Sequence, residues 1–149
     1  MTTITDNPAL LDDWLRPLLQ SMDPAPRRRL LLALVRDLRQ ANQGRIKAQQ
    51  NPDGTSFAPR RPRDKKRGPM FPGMRKARWL KTAATPHQGT VGYRGRLAQI
   101  AEIHQQGLAE RLGQHGPVYR YAQRRLLAIA PADQAAARQR LLLHLSAPY

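Results

Sequence analysis

Residues 51–75 constrain the fold more than any other part of the chain, because proline and glycine recur there too often for a helix or a central strand. The stretch reads NPDGTSFAPRRPRDKKRGPMFPGMR and also carries many basic side chains. We therefore predict a long basic loop that separates a helical N-terminal part from a mixed C-terminal part. Loops of this length are usually functional or disordered.

The length of 149 residues predicts one domain over residues 1–149, with the basic loop lying within it. The longest apolar runs, such as 30–35, are far shorter than the roughly 20 residues of a membrane span, which excludes a membrane protein. The N-terminus, MTTITDNPALLDD, carries acids where an export signal carries bases, so we expect no export signal and synthesis in the cytoplasm. The absence of cysteine excludes disulfides, thiolate nucleophiles and cysteine-based zinc sites.

The charge is both large and unevenly distributed. Lys and Arg number 26 against 10 Asp and Glu, which gives a net charge of +16. Residues 1–26 carry four acids and one base, residues 27–81 carry 17 bases and three acids, and residues 82–149 carry eight bases and three acids. This balance favours a polyanionic or acidic partner for the middle of the chain. The apolar residues are grouped periodically, which is not typical of a disordered basic tail.

Helical patterns precede the loop. Asn7 and Pro8 are typical of a helix start, and an apolar stripe predicts a helix over about 8–22, kinked at Pro17. A second helix is predicted from the DPAP break at 23–26 to about Gln50, with an apolar face formed by Leu31, Leu34, Val35, Leu38 and Ala41. The NPDG sequence at 51–54 then supplies a turn.

The pattern after the loop is mixed. We predict a short basic helix over about 74–84, with Trp79 and Leu80 as apolar anchors, and then a strand over 89–97. A turn at 113–117 precedes a second predicted strand over 118–123. The last predicted element is a helix over 131–145, whose apolar face contains Ala137, Leu141, Leu142 and Leu145. Residues 98–104 fit a helix or a strand equally well. The predicted fold class is α+β, with helices packed on a small antiparallel sheet.

No arrangement of residues indicates catalysis. The only close pair of acids, Asp12 and Asp13, fits a helix N-terminus. The four histidines are scattered at 87, 104, 115 and 144, and no HExxH, GxSxG, GxGxxG or P-loop motif is present. Asp53 lies in a turn sequence. We therefore predict no enzymatic activity, no metal and no cofactor, and we interpret His104 as a partly buried, hydrogen-bonded side chain rather than a ligand.

The basic loop and the segment after it form the candidate interface. Its residues are Phe57, Arg60, Arg61, Arg63, Lys65, Lys66, Arg67, Met70, Phe71, Arg75, Lys76 and Arg78. These side chains either form a solvated loop or dock on an acidic protein surface or on DNA phosphates. The interleaved apolar side chains, with Trp79, are either exposed anchors of an interface or part of the core.

Four stretches in order resemble the phage virion morphogenesis, or tail completion, family of contractile-tailed, Mu-like and related phages. They are RIKAQQNPDGTSFAPR at 45–60, MFPGMRKARWLK at 70–81, VGYRGRLAQIAEIHQQGL at 91–108 and YAQRRLLAIAPAD at 121–133. The residues that we assign to the family pattern are Asn51, Pro52, Asp53, Gly54, Ile103, His104, Gln105, Gly107, Arg124, Arg125, Leu126 and Leu127.

The resemblance implies a structural protein of the virion, assembled in the cytoplasm of the bacterial host. It implies a homo-oligomer, a hexameric ring at the head-proximal end of the tail, in contact with tail tube or terminator proteins and head–tail connector proteins. Nonspecific contact with DNA is compatible with the charge. Two alternatives stay open: a nucleic-acid-binding module that uses residues 60–81, and an assembly chaperone absent from the mature particle.

Overall fold

The computed structural model describes residues 16–17, 20–62, 65 and 67–146. Within these residues, three helices and two separate two-stranded antiparallel sheets form an α+β fold, which confirms the predicted class. The elements are α1 (Pro24–Lys47), β1 (Lys81–Ala84), β2 (Gly89–Gly92), α2 (Arg96–Gln106), β3 (Ala109–Arg111), β4 (Val118–Arg120) and α3 (Pro131–Ser146). Ten of the fifteen residues of the predicted helix over 8–22 lie outside the described residues, and so do Arg63 and Lys66 of the candidate interface.

Helix α1 confirms the second predicted helix. It begins at Pro24, where a missing N–H removes no helical hydrogen bond, and it ends at Lys47, three residues before the predicted end. Arg45 and Lys47 lie in the last turn, where positive charge is favoured by the helix dipole. The buried face consists of Leu30, Leu31, Leu34, Val35, Asn42 and Ile46.

Two hydrophobic clusters lie along α1. The α3 cluster contains Leu30, Leu31, Leu34, Ala84 and Leu141. The loop cluster contains Ile46, Phe57, Met74, Leu80, Val91, Tyr93, Ala101, Leu126 and Leu127. Helix α1 has 24 residues and is therefore about 36 Å long, so its two ends are stabilised by different parts of the chain.

The predicted loop over 51–75 is confirmed, since its described residues form no helix and only an isolated bridge between Gln50 and Ser56. Of the two alternatives for its apolar side chains, the core alternative holds for most of them. Phe57 and Met74 are buried in the loop cluster, and Met70 and Phe71 pack against it. Trp79, in contrast, is 43% exposed.

The predicted helix over 74–84 is wrong. Residues 72–79 form successive turns, and β1 pairs with β2 in a hairpin with Lys81 opposite Gly92 and Ala84 opposite Gly89. The hairpin turn is closed by a hydrogen bond from the Thr85 N–H to the Gln88 carbonyl. The pairing of β1 with β2 and the burial of Leu80 and Ala84 outweigh the weak helical pattern of this segment.

Glycines set the bounds of the next elements. The predicted strand over 89–97 ends early, at Gly92, and Gly95 has a positive φ of 60° immediately before α2. Residues 98–104, which fit either structure in the sequence, are helical. Helix α2 ends at Gln106 and is followed by Gly107, which has a left-handed φ of 64°.

The second sheet is only partly predicted. Strand β4 confirms a strand after the turn at 113–117, although it ends at Arg120, and its partner β3 was not predicted. Helix α3 is confirmed, but its predicted apolar face is only partly buried. Leu141 is buried, whereas Leu142 and Leu145 are 66% and 53% exposed. Arg140 forms a salt bridge with Asp37 that joins α3 to α1.

Within the described part of the chain, no helix combines the length and the apolar character needed to cross a membrane.

Candidate protein interaction groove

The irregular segment after β4 is held by buried side-chain amides. Gln105, on α2, accepts hydrogen bonds from the backbone N–H groups of Leu126 (2.8 Å) and Leu127 (3.1 Å) and donates to the Leu127 carbonyl (2.8 Å). Asn42, on α1, accepts from the Ala128 N–H (3.0 Å) and donates to its carbonyl (3.3 Å). These amides satisfy backbone groups that a strand partner would otherwise satisfy.

A third amide joins the NPDG turn to the same segment. The Asn51 Oδ1 atom accepts from the Arg125 N–H at 2.9 Å, so two stretches of the family pattern meet in space. The Asp53 carboxylate accepts from the Thr55 backbone N–H and hydroxyl at 2.9 and 2.6 Å. These hydrogen bonds lower the pKa of Asp53. Asp53 therefore shapes a turn, as its sequence context indicates.

Arg124 fastens the basic loop to α2. Its buried guanidinium donates to the carbonyls of Ala58 and Pro59, both at 2.8 Å, and its Nη1 atom lies 3.3 Å from Nδ1 of His104. Burial, and then the charge of Arg124, lower the pKa of His104 to about 4. His104 is therefore neutral at pH 7, with Nδ1 placed to accept a hydrogen bond.

Gln49 fixes the other side of the loop. Its side chain accepts from the Met70 N–H at 2.7 Å and donates to the Met70 carbonyl at 2.9 Å, while its own carbonyl accepts from the Phe57 N–H. Gln49 has a positive φ of 57°, a conformation that non-glycine residues seldom adopt. Within the loop, Arg60 donates to the Pro69 carbonyl at 3.0 Å. The described part of the loop is thus attached to α1 and α2 through main-chain atoms.

These contacts shape a groove of about 1160 Å³ between the loop, α2 and the second sheet. Every charged side chain that lines it in the described structure is basic, and the rest of the lining is largely apolar. The basic residues are Arg60, Arg61, Lys65, Arg67, Arg96 and Arg124; the apolar and aromatic ones include Met70, Phe71, Met74, Trp79, Leu97, Ile100, Leu112, Tyr119 and Tyr121.

Five rings form a row, and all of them except Phe57 line the groove. Phe57, Phe71, His104, Tyr121 and Tyr119 follow one another with centroid separations of 6.0, 4.8, 5.0 and 4.8 Å, each pair edge to face. The Arg61 guanidinium lies over the Tyr119 ring. Much of the aromatic surface is therefore engaged within the protein.

Only some residues of the predicted interface line the groove. Arg60, Arg61, Lys65, Arg67, Met70 and Phe71 line it. Phe57 is buried, which corresponds to the core alternative, and the exposed Arg75, Lys76 and Arg78 lie outside the lining. Whether these residues bind a partner stays a prediction.

Two residues of the family pattern, His104 and Arg124, line the groove, and several others hold the segments that shape it. Gln105, Arg124 and Asn51 make the contacts described above, and Leu126 and Leu127 are buried in the loop cluster. Gly107 ends α2 close to Gln123, whose backbone N would lie 3.3 Å from a Cβ at that position. Pro52 and Gly54 belong to the NPDG turn, and Ile103 is half-buried on α2.

The sequence analysis missed several residues of this site. Asn42 and Gln49 hold main-chain atoms, and Arg96, Leu97, Ile100, Tyr119 and Tyr121 complete the lining. A signal exists for Asn42, which lies four residues from both Leu38 and Ile46 and therefore on the apolar face of α1. Arg96, Ile100 and His104 likewise recur every four residues, on one face of α2.

The chemistry of the site is that of binding. Among the described residues, no group of three His, Cys, Asp or Glu side chains is placed to hold a metal ion. The neutral His104 is engaged by Arg124, and the lining offers donors, cations and apolar surface. Such a groove suits an anionic ligand with apolar groups.

The sequence belongs to the phage virion morphogenesis family, whose model matches residues 6–146. This confirms the resemblance drawn from the four sequence stretches. The chain is similar to tail completion protein S of Escherichia phage P2, with 37% identity over 141 residues that cover 90% of this chain and 94% of that protein. No solved structure matches the chain.

Proposed function

We propose that this chain is a non-enzymatic structural protein that completes the tail of a phage and stays in the virion. The observation that carries the proposal is its 37% identity to a tail completion protein over nearly the full length of both chains. The hydrogen bonds by which Asn51, Gln105 and Arg124 hold the segments around a basic groove support it, since they fix the shape of a binding surface.

The finer proposal is a hexameric ring at the head-proximal end of the tail. A subunit of a closed ring needs two different complementary surfaces. The basic groove is one candidate, and an acidic surface on a tail tube, terminator or head–tail connector protein is the complement that we propose for it. Assembly takes place in the host cytoplasm.

Loss of the gene in the parent phage tests the proposal. We expect separate filled heads and tails, with infectivity restored by the wild-type protein supplied in trans. Cryo-electron microscopy of restored particles locates the chain, and density anywhere except the head-proximal tail end contradicts the placement. Mass spectrometry of purified virions tests the chaperone alternative, which predicts that the protein is absent.

The excess of basic residues favours a second candidate function, nucleic-acid binding through residues 60–81. Binding to duplex DNA measured against salt concentration separates the two. A slope that reports six or more phosphate contacts supports this second function, whereas weak nonspecific binding with a shallow slope supports assembly.

A further inference from the structure

The composition of the groove defines its ligand. Five basic side chains, besides the buried Arg124, surround an apolar floor that includes Met70, Leu97 and Ile100, and no acidic side chain is among the described lining residues. A ligand that carries both carboxylates and large apolar side chains complements both parts. An acidic amphipathic peptide has this chemistry.

A nucleic acid fits the same surface less well. Single-stranded binding sites expose aromatic faces on which bases stack. Here the rings of Phe71, Tyr121 and Tyr119 pack edge to face with their neighbours, and Arg61 covers Tyr119. The exposed ring of Trp79 has the Arg78 guanidinium over it, 4.9 Å from its centroid. Much of the remaining floor is aliphatic, which suits leucine side chains.

The chain itself contains such a peptide. Residues 1–15 hold three acids, Asp6, Asp12 and Asp13, and no base, although the whole chain has a net charge of +16. Leu11, Trp14 and Leu15 recur at steps of three and one and share one face of the predicted helix. The segment therefore combines the negative charge and the apolar groups that the groove complements.

If this segment is a helix, it is too short to reach the groove of its own copy. Met70, in the groove, is bonded to Gln49, about 37 Å along the α1 axis from Pro24. In the predicted helix, Asp12 lies only about 15 Å from Met22, even if that helix runs back along α1. In that helical form, Asp12 and Asp13 can therefore meet a groove only on another copy.

We infer that the acidic N-terminal segment, residues 1–15, docks in the basic groove of a neighbouring copy and joins the subunits head to tail. The inference rests on the proposed ring function. Segment and groove are different surfaces, so the contact is heterologous and closes into a ring when the rotation between subunits permits.

Charge reversal in the full-length protein tests the contact. One variant is Asp12→Lys with Asp13→Lys, and the other is Arg67→Glu with Arg96→Glu. Both arginines are exposed, and an acid at the first residue of α2 favours the helix. The matched control, Arg29→Glu with Arg36→Glu, makes the same charge change on exposed positions of α1 outside the groove.

Sedimentation velocity gives the first readout. We expect the wild type and the control to assemble, each test variant to stay monomeric, and an equimolar mixture of the two variants to assemble again, because every contact in an alternating ring is then complementary. Assembly of both variants alone, or failure of the mixture when the wild type assembles, overturns the inference.

Peptide binding gives a readout independent of the ring. A labelled peptide of residues 4–18, titrated onto the Asp12→Lys/Asp13→Lys protein, should bind at least tenfold more weakly once Arg67→Glu and Arg96→Glu are added. Equal binding to both proteins overturns the inference, as does a single-stranded 20-mer that occupies the groove and is not displaced by the peptide. Peptide binding without incorporation into particles instead supports the docking and contradicts only the proposed function.

Discussion

At the α3 end of α1, leucine side chains pack against one another, whereas at the loop end, amides and a guanidinium hold main-chain atoms of segments without regular structure. The first kind of contact is non-directional and tolerates adjustment. The second requires each donor to face its acceptor, because a buried polar group without a partner is costly. Changes at the loop end should therefore alter the groove, and changes at the α3 end should alter only stability.

The largest effect is expected for Gln105→Leu. This change removes three buried hydrogen bonds and leaves two N–H groups and one carbonyl of Leu126 and Leu127 without a partner. We expect the free energy of unfolding to fall by about 4 kcal/mol in urea denaturation. Gln106→Leu, at an exposed neighbouring position, is the control. A change below about 1 kcal/mol for Gln105→Leu would contradict the role of the amide.

Leu141→Ala probes the α3 end. The buried side chain leaves a cavity, so we expect a loss of about 3 kcal/mol in the free energy of unfolding. Leu142→Ala, 66% exposed in the same helix, should change it by less than about 0.5 kcal/mol. Binding of the 4–18 peptide should be unchanged in each variant that remains folded. A loss of peptide binding would contradict the difference that we infer between the α3 end and the loop end of α1.

Gly89→Ala tests the packing of the hairpin on α1. A Cβ at this position would lie 2.4 Å from Cγ1 of Val35 and 3.3 Å from the Leu31 carbonyl. We expect a destabilisation of about 2 kcal/mol by thermal or urea unfolding. In Gly44→Ala, where nothing lies within 4 Å, the helix should instead gain about 0.5 kcal/mol. Equal changes in stability at the two glycines would contradict the close approach of Gly89 to α1.

The smallest effect is a pH dependence at the loop end. The pKa of His104 is about 4 in the folded protein, below the ordinary 6.5, so between these values the unfolded chain binds the proton. The free energy of unfolding should therefore fall as pH decreases from 6.5 towards 4. Since the side chain is only partly buried, the loss is on the order of 1 kcal/mol.

The control for this dependence is His104→Asn, which retains an acceptor towards Arg124 and does not titrate. The wild type should lose more stability than the variant between pH 7 and pH 4.5 in urea denaturation. Parallel pH profiles would show that His104 contributes nothing to the dependence.

The sequence predicted those elements whose cause is local. Pro24 and the leucine spacing predict α1, and the Pro131 start with its leucines predicts α3. The hairpin of β1 and β2 was missed because Lys81–Ala84 is a strand only through its pairing with Gly89–Gly92, and β3 likewise depends on β4. Long-range pairing of short segments leaves little periodicity to detect.

Only part of the candidate site could likewise be predicted from the sequence. Arg60, Arg61 and Phe71 stand out in the sequence because charge and aromatic residues concentrate there. Tyr119 and Tyr121 reach the groove from a distant strand and from the residue just beyond it, and nothing in their local pattern marks them. The Phe57 N–H donates to the Gln49 carbonyl just after α1, and this contact holds Phe57 next to the core. Composition does not reveal such a contact.

Arg124 and Gln49 recognise the loop through the carbonyls of Ala58, Pro59 and Met70 rather than through side chains. Replacement of an exposed loop side chain therefore leaves these bonds intact. The path of the loop can persist while the surface that it presents diverges from one virus to another. Such an arrangement separates the evolution of partner choice from the evolution of the scaffold.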